Sequence, residues 1–124
     1  MGKLVMVVDD SRAVREALTI VLKGQGFDVV QAVDGEQALE QLDGRKISLI
    51  ISDLNMPKID GMTFVKTLKS DDKYAEYRFT PVIMLTSESG YEQKKEGKVA
   101  GVKVWVTKPV EPNKLVNAIS MLLV

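Results

Sequence analysis

Two rhythms of apolar positions alternate along this chain. Leu4 to Val8 is an unbroken apolar run closed by Asp9-Asp10. Ile47 to Ser52 is a largely apolar run closed by Asp53, with Pro57 ending any extended structure soon after. Val82 to Leu85 is a third run, closed by Thr86-Ser87. Short runs of this kind, bounded by turn residues, predict strands buried on both faces, as in the middle of a parallel sheet. Phe27 to Ala32 and Val102 to Val106 predict two more strands. Asp28 and Gln31 interrupt the first and Lys103 the second, which suits sheet edges.

Between the runs the period lengthens. Val14, Ala17, Leu18, Val21 and Leu22 recur at helical spacing, with Ser11 as N-cap and Gly24 and Gly26 beyond Lys23. Asp34 to Gln37 reads as a capping box opening a short helix with Ala38, Leu39 and Leu42 inward. Asp60-Gly61 leads into a helix burying Met62, Val65 and Leu68, and residues 70–80, rich in charge, read as a surface loop. Glu88 to Val99 is assigned as a fourth helix, although Lys94, Lys95, Glu96, Gly97 and Lys98 leave it little apolar face, so mobility is expected there. Pro112 opens a fifth helix that buries Leu115, Ala118, Ile119 and Leu122. Strands alternating with helices predict an α/β fold, a doubly wound (βα)5 flavodoxin-like sandwich. Its five-stranded parallel sheet would run in the order 2-1-3-4-5, with helices on both faces and one domain over residues 1–124.

Composition narrows the chemistry. A hydrophobic fraction of 45% in 124 residues supports a core without covalent staples. The chain has neither Cys nor His, which removes disulfides, thiolate metal sites and imidazole as ligand, base or phosphoryl carrier. Lys+Arg and Asp+Glu both number 17, which argues against direct nucleic-acid binding. No apolar run approaches the roughly 20 residues of a membrane span, and no signal-peptide core is present. Met6 stands where a myristoylation motif wants Ser or Thr. A soluble, cytoplasmic domain without a membrane anchor is expected.

In the predicted strand order, the carboxyl ends of central strands carry Asp9-Asp10, Asp53 and Thr86, with Lys108 at the end of the neighbouring fifth strand. Ligands of open α/β sheets bind at that rim. Taken singly, each residue has an ordinary reading as a cap, a turn or a solvated charge; jointly they converge on one place. Three carboxylates in one pocket repel one another, and a divalent cation relieves this. Few oxygen ligands suit Mg²⁺, with Mn²⁺ as the alternative. Lys108 adds a second positive charge, and a carboxylate among cations can attack phosphorus to form an acyl phosphate. Asp53 is thus read as a phosphoryl acceptor, with Thr86 offering its hydroxyl to a phosphoryl oxygen.

Asp9-Asp10, Asp53 with Met56-Pro57 and Gly61, Thr86-Ser87 and Lys108-Pro109, in order over Leu4 to Val124, resemble the receiver domain of two-component response regulators. The resemblance implies that Asp53 receives phosphate from a histidine kinase. It implies that Asp10 binds Mg²⁺ directly, Asp9 mostly through water and Asn55 through its backbone carbonyl, beside Asp53 itself. Lys108 would pair with a phosphoryl oxygen, Thr86 would move toward the phosphate, and the Lys108-Pro109 bond would be cis. Asn55 and Glu88 occupy positions that tune phosphate lifetime, and this pair resembles stand-alone chemotaxis-type (CheY-like) regulators. Trp105 stands where many receivers carry a Tyr or Phe that swings inward on activation; it is read either as that switch residue or as a packing side chain on an edge strand. A downstream protein partner would bind the face of the fourth helix, fifth strand and fifth helix.

The sequence ends with the fifth helix, so a stand-alone switch, not an enzyme acting on a separate substrate, is the favoured reading. It would be a monomer or a phosphorylation-dependent dimer. The alternative is a receiver fragment of a longer, for example DNA-binding, regulator. A haloacid dehalogenase-type aspartyl-phosphate phosphatase wants an acid where Asn55 stands, and a flavodoxin-like cofactor binder wants a phosphate loop where Asp9-Asp10 would repel phosphate.

Overall fold

In the computed structural model, which describes residues 3–87 and 101–123, the five apolar stretches form parallel strands in the spatial order β2-β1-β3-β4-β5. These are β1 (Leu4–Val8), β2 (Asp28–Ala32), β3 (Leu49–Asp53), β4 (Val82–Thr86) and β5 (Val104–Thr107). The polar-interrupted strands β2 and β5 lie at the edges, as expected. Helices α1 (Arg12–Gly24), α2 (Gly35–Gln41) and α3 (Gly61–Ser70) connect them, and a C-terminal helix (Pro112–Leu122) follows β5. The predicted fourth helix over residues 88–99, with Glu88, lies outside the described residues.

Strand alternation divides the core in two. Val5, Val7, Leu49, Ile51, Ile83 and Leu85 point to the face covered by Leu18 and Leu22 of α1 and by Leu115, Ala118 and Ile119 of the C-terminal helix. Met6, Val8, Ile50, Val82 and Met84 point to the other, where Ala38 and Leu42, then Phe64, Val65 and Leu68, pack on them. Each of these Val, Leu, Ile, Met and Phe side chains gains roughly 1.5–3 kcal/mol on burial, so both layers hold the sheet.

Caps set the helix starts. Ser11 Oγ accepts from Val14 N–H at 3.3 Å, and Asp60 Oδ1 accepts from Thr63 N–H at 2.8 Å. Asp34 Oδ1 accepts from Gln37 N–H at 2.8 Å, but Gln37 Oε1 reaches back to the N–H of Val33, one residue before the cap. The predicted box is therefore displaced by one position on its return bond.

Three expectations are corrected. Residues 70–80 are not a plain surface loop: Asp72–Tyr77 forms a 3₁₀ helix with Tyr74 and Tyr77 buried. The segment is kinked at Tyr74, whose φ of -111° and ψ of 26° leave helical geometry, and both rings are nonetheless buried. Ala17, expected inward, is exposed on the wall of a groove of about 590 Å³ between α1 and residues 108–112, and Leu122 is only partly buried. The apolar stripe of α1 is wider than its contact with the sheet.

Candidate functional site

The period-2 alternation that builds one core layer also builds the site. Val5 and Val7 lead to position 9, Leu49 and Ile51 to position 53, and Val104 and Val106 to position 108. Where these stripes leave the core, their next members are Asp9, Asp53 and Lys108. Apolar side chains in register inside the sheet thus place three charged ones together at its rim.

Lys108 Nζ lies 3.0 Å from Asp9 Oδ2 and 3.1 Å from Asp53 Oδ1, bridging two buried carboxylates. The Lys108-Pro109 bond is cis, and the Lys108 N–H donates to the Thr86 carbonyl at 2.8 Å. This fixes the lysine's backbone to the end of β4. Asp10 stands beside them, exposed, and makes no hydrogen bond or ion pair among the described residues. Carboxylate oxygens of Asp9, Asp10 and Asp53 fall within 4.8 Å of one another.

Every hydrogen-bonding group of Asp9 is engaged. Its N–H donates to the Ala32 carbonyl at 3.1 Å, and its own carbonyl accepts from Arg15 Nη1 at 2.8 Å. Oδ1 accepts from Ser11 N–H at 2.8 Å, and Oδ2 accepts from Lys108. Among the described residues nothing holds the Asp10 carboxylate. The two neighbours therefore differ as ligands: one is fixed and already shared, the other is free.

Burial raises the pKa of Asp53, and the adjacent Asp9 raises it further; Lys108 and the Asn55 N–H oppose both. For Lys108, burial acts to lower the pKa, but its bonds to Asp9 and Asp53 outweigh this and the net shift is upward. Two carboxylates and one ammonium leave the pocket negative before Asp10 is counted. An oxygen-only donor set with excess negative charge, one free carboxylate and no nitrogen or sulfur ligand fits a hard divalent cation such as Mg²⁺.

Gly61 makes the loop after Asp53 possible. Its N–H donates to the Leu54 carbonyl at 2.8 Å, and a Cβ placed on it would run into the Asp53 carbonyl oxygen and lie 2.9 Å from Leu54 Cα. Asn55 is exposed just beyond. Thr86 is buried at the end of β4, opposite Thr107, while Met84 is opposite Trp105. Alternation puts Met84, Thr86 and Trp105 on the sheet face opposite to that of Asp9, Asp53 and Lys108. Trp105 is partly buried against the Met84 layer.

The structure therefore brings together Asp9, Asp10, Asp53 and Lys108, with Asn55 just beyond Asp53 in the chain and Thr86 at the end of the neighbouring β4. Ser11 and Arg15 were missed in the sequence. Ser11 was legible as an N-cap, but nothing in its spacing marked its amide as a partner of Asp9. Arg15 sits among helix-surface residues and carries no signal of its own.

A family model described as the response regulator receiver domain matches residues 5–120. Protein PilG of Pseudomonas aeruginosa is 36% identical over 118 residues, covering 95% of this chain and 85% of that protein. The phosphate regulon transcriptional regulatory protein PhoB of Klebsiella pneumoniae is 34% identical over 99% of this chain, which spans 52% of PhoB. The structure of chemotaxis protein CheY4 of Vibrio cholerae superposes with a TM-score of 0.90 at 36% identity, covering 99% of this chain and all of that one. With the strand order and the acidic rim already in place, these matches settle the family: the chain belongs to the response regulator receiver domains.

Proposed function

We propose that the protein is a phosphorylation-controlled switch in which Asp53 accepts a phosphoryl group from the phosphohistidine of a histidine kinase. The observation that carries this reading is Lys108 Nζ bridging the Asp9 and Asp53 carboxylates beside a free Asp10. Asp53 Oδ attacks phosphorus as the P–N bond to the kinase histidine breaks, leaving an acyl phosphate and a neutral imidazole after proton uptake. Asp10, Asp53 and the Asn55 carbonyl are the residues that would hold Mg²⁺, with Asp9 acting through water; its two oxygens already accept other bonds. Bound there, Mg²⁺ supplies charge neutralisation at the phosphoryl oxygens.

Lys108 is placed to exchange one carboxylate for a phosphoryl oxygen without leaving the pocket. Thr86 donates its hydroxyl to another, which draws the end of β4 toward the site and biases the partner face. Trp105 shares the Thr86 face and is the aromatic that responds. Asn55 and Glu88 tune phosphate lifetime. The downstream partner is a protein that docks on the face carrying β5 and the C-terminal helix. PhoB is matched over about half its length, so this receiver chemistry serves equally a stand-alone switch or the first part of a longer regulator.

The test is mass spectrometry after incubation with acetyl phosphate and Mg²⁺. One phosphoryl group is expected on the wild type and none on Asp53→Asn. Equal labelling of both proteins moves the nucleophile elsewhere.

A further inference from the structure

Gln31, the polar interruption of β2, is part of a network that ends at the acidic rim. Gln31 Oε1 accepts from Arg15 Nε at 3.0 Å, and Gln31 Nε2 donates to Thr19 Oγ1 at 2.9 Å. Thr19 Oγ1 in turn donates to the Arg15 carbonyl at 2.7 Å, and Gln41 Nε2 donates to the Gln31 carbonyl at 2.9 Å. The guanidinium is thus held by a side chain that α1 holds through Thr19, on a residue whose backbone carbonyl α2 holds through Gln41. Its remaining fixed contact is Nη1 to the Asp9 carbonyl at 2.8 Å.

That carbonyl belongs to the peptide joining Asp9 to Asp10. The other side of Asp9 is fixed by β1 and by Lys108, so the peptide plane is the freedom left in this turn. Its rotation changes the direction in which the unbonded Asp10 carboxylate leaves the backbone. We infer that Arg15 is a positioning residue: by fixing the Asp9-Asp10 peptide it aims Asp10 at the metal, although it touches neither carboxylate group nor substrate. This rests on the reading that Asp10 is a direct ligand of Mg²⁺. A guanidinium suits the task because its planar fork reaches two acceptors, Gln31 and Asp9, at fixed angles. An ammonium at the same position has a single point of charge and holds one of them.

Groups that support metal ligands in this way typically change metal affinity by ten- to a hundredfold. Mg²⁺ titration by calorimetry, with the metal-free melting temperature of each protein, separates aiming from bracing. Arg15→Ala is expected to raise the Mg²⁺ dissociation constant about tenfold. Gln31→Leu, which frees the guanidinium without removing it, should raise it about threefold, and Arg15→Lys should lie between wild type and Arg15→Ala. Arg15→Ala and Gln31→Leu proteins that melt lower but bind Mg²⁺ as wild type does make the network a brace only and overturn the inference, leaving the phosphorylation reading intact. If Arg15→Ala does not fold, Gln31→Leu and Arg15→Lys decide the matter on the same criterion. Wild type that binds no Mg²⁺ overturns this inference and the metal reading together.

Discussion

Gly61 shows how little room surrounds Asp53, the proposed phosphoacceptor. A single added methyl would run into the Asp53 carbonyl oxygen and stand 2.8 Å from Met84 Sδ, and the first of these is backbone that cannot swing away. Gly61→Ala should cost about 2–3 kcal/mol, read as a lowered urea midpoint, and should slow labelling of Asp53 because the acceptor's own carbonyl is displaced. Lys69 presents a different conflict. Its Nζ donates to the carbonyls of Arg78 at 2.8 Å and Thr80 at 2.6 Å, while its stem covers Gly101. Burial, and then the neighbouring Lys103, pull its pKa from 10.5 to about 8. Between those two values the unfolded chain binds more protons than the native one, so stability rises with pH through that window and is flat below it. The urea midpoint of wild type minus that of Lys69→Met should therefore climb as pH rises above about 8; a constant difference places an ordinary lysine there.

Among the elements, the 3₁₀ helix does the most with the least sequence. Tyr77 Oη accepts from the Gly44 N–H at 2.9 Å and donates to the Arg45 carbonyl at 2.7 Å, tying this turn to the segment that enters β3. Tyr77→Phe keeps the ring and strands both backbone groups, so a loss of about 1–2 kcal/mol is expected in thermal melts. The strands themselves could be read directly, because Leu4 to Val8 and Val82 to Leu85 are apolar without interruption and Pro57 bounds β3. The 3₁₀ helix could not: Tyr74 and Tyr77 are two apolar rings among charges, too few to show a period. Nor could the position of Ala17, since a helical stripe says which side is apolar and not how far the neighbouring helix extends over it. The site divides in the same way. Asp9, Asp53 and Lys108 were legible because they prolong strand alternation. Arg15 was not, since a helix-borne arginine has the same local pattern whether it faces solvent or a backbone carbonyl.

At the scale of the whole molecule, a chain of zero formal charge concentrates negative charge at one rim. Asp53 carries a raised pKa through burial and then Asp9, so between the ordinary value of 3.8 and that raised value the native state holds the extra proton and stability falls as pH rises. At neutral pH the ionised acceptor is thus a cost to folding. Without metal, Asp53→Asn should melt higher than wild type. Added Mg²⁺ should raise the melting temperature of wild type by more than that of Asp53→Asn. An Asp53→Asn protein that melts lower than wild type would show that the lysine bridge outweighs the crowding. Opposite sides of the sheet carry Asp53 and Trp105, and the strands between them are packed with apolar side chains from edge to edge. Whatever the indole registers of events at the aspartate has to travel over the crest of the sheet, through the few peptides where β4 and β5 emerge. On the proposed reading those peptides are the link between a chemical half and a listening half, so substitutions at the strand tips are where a response of Trp105 to Asp53 would be lost.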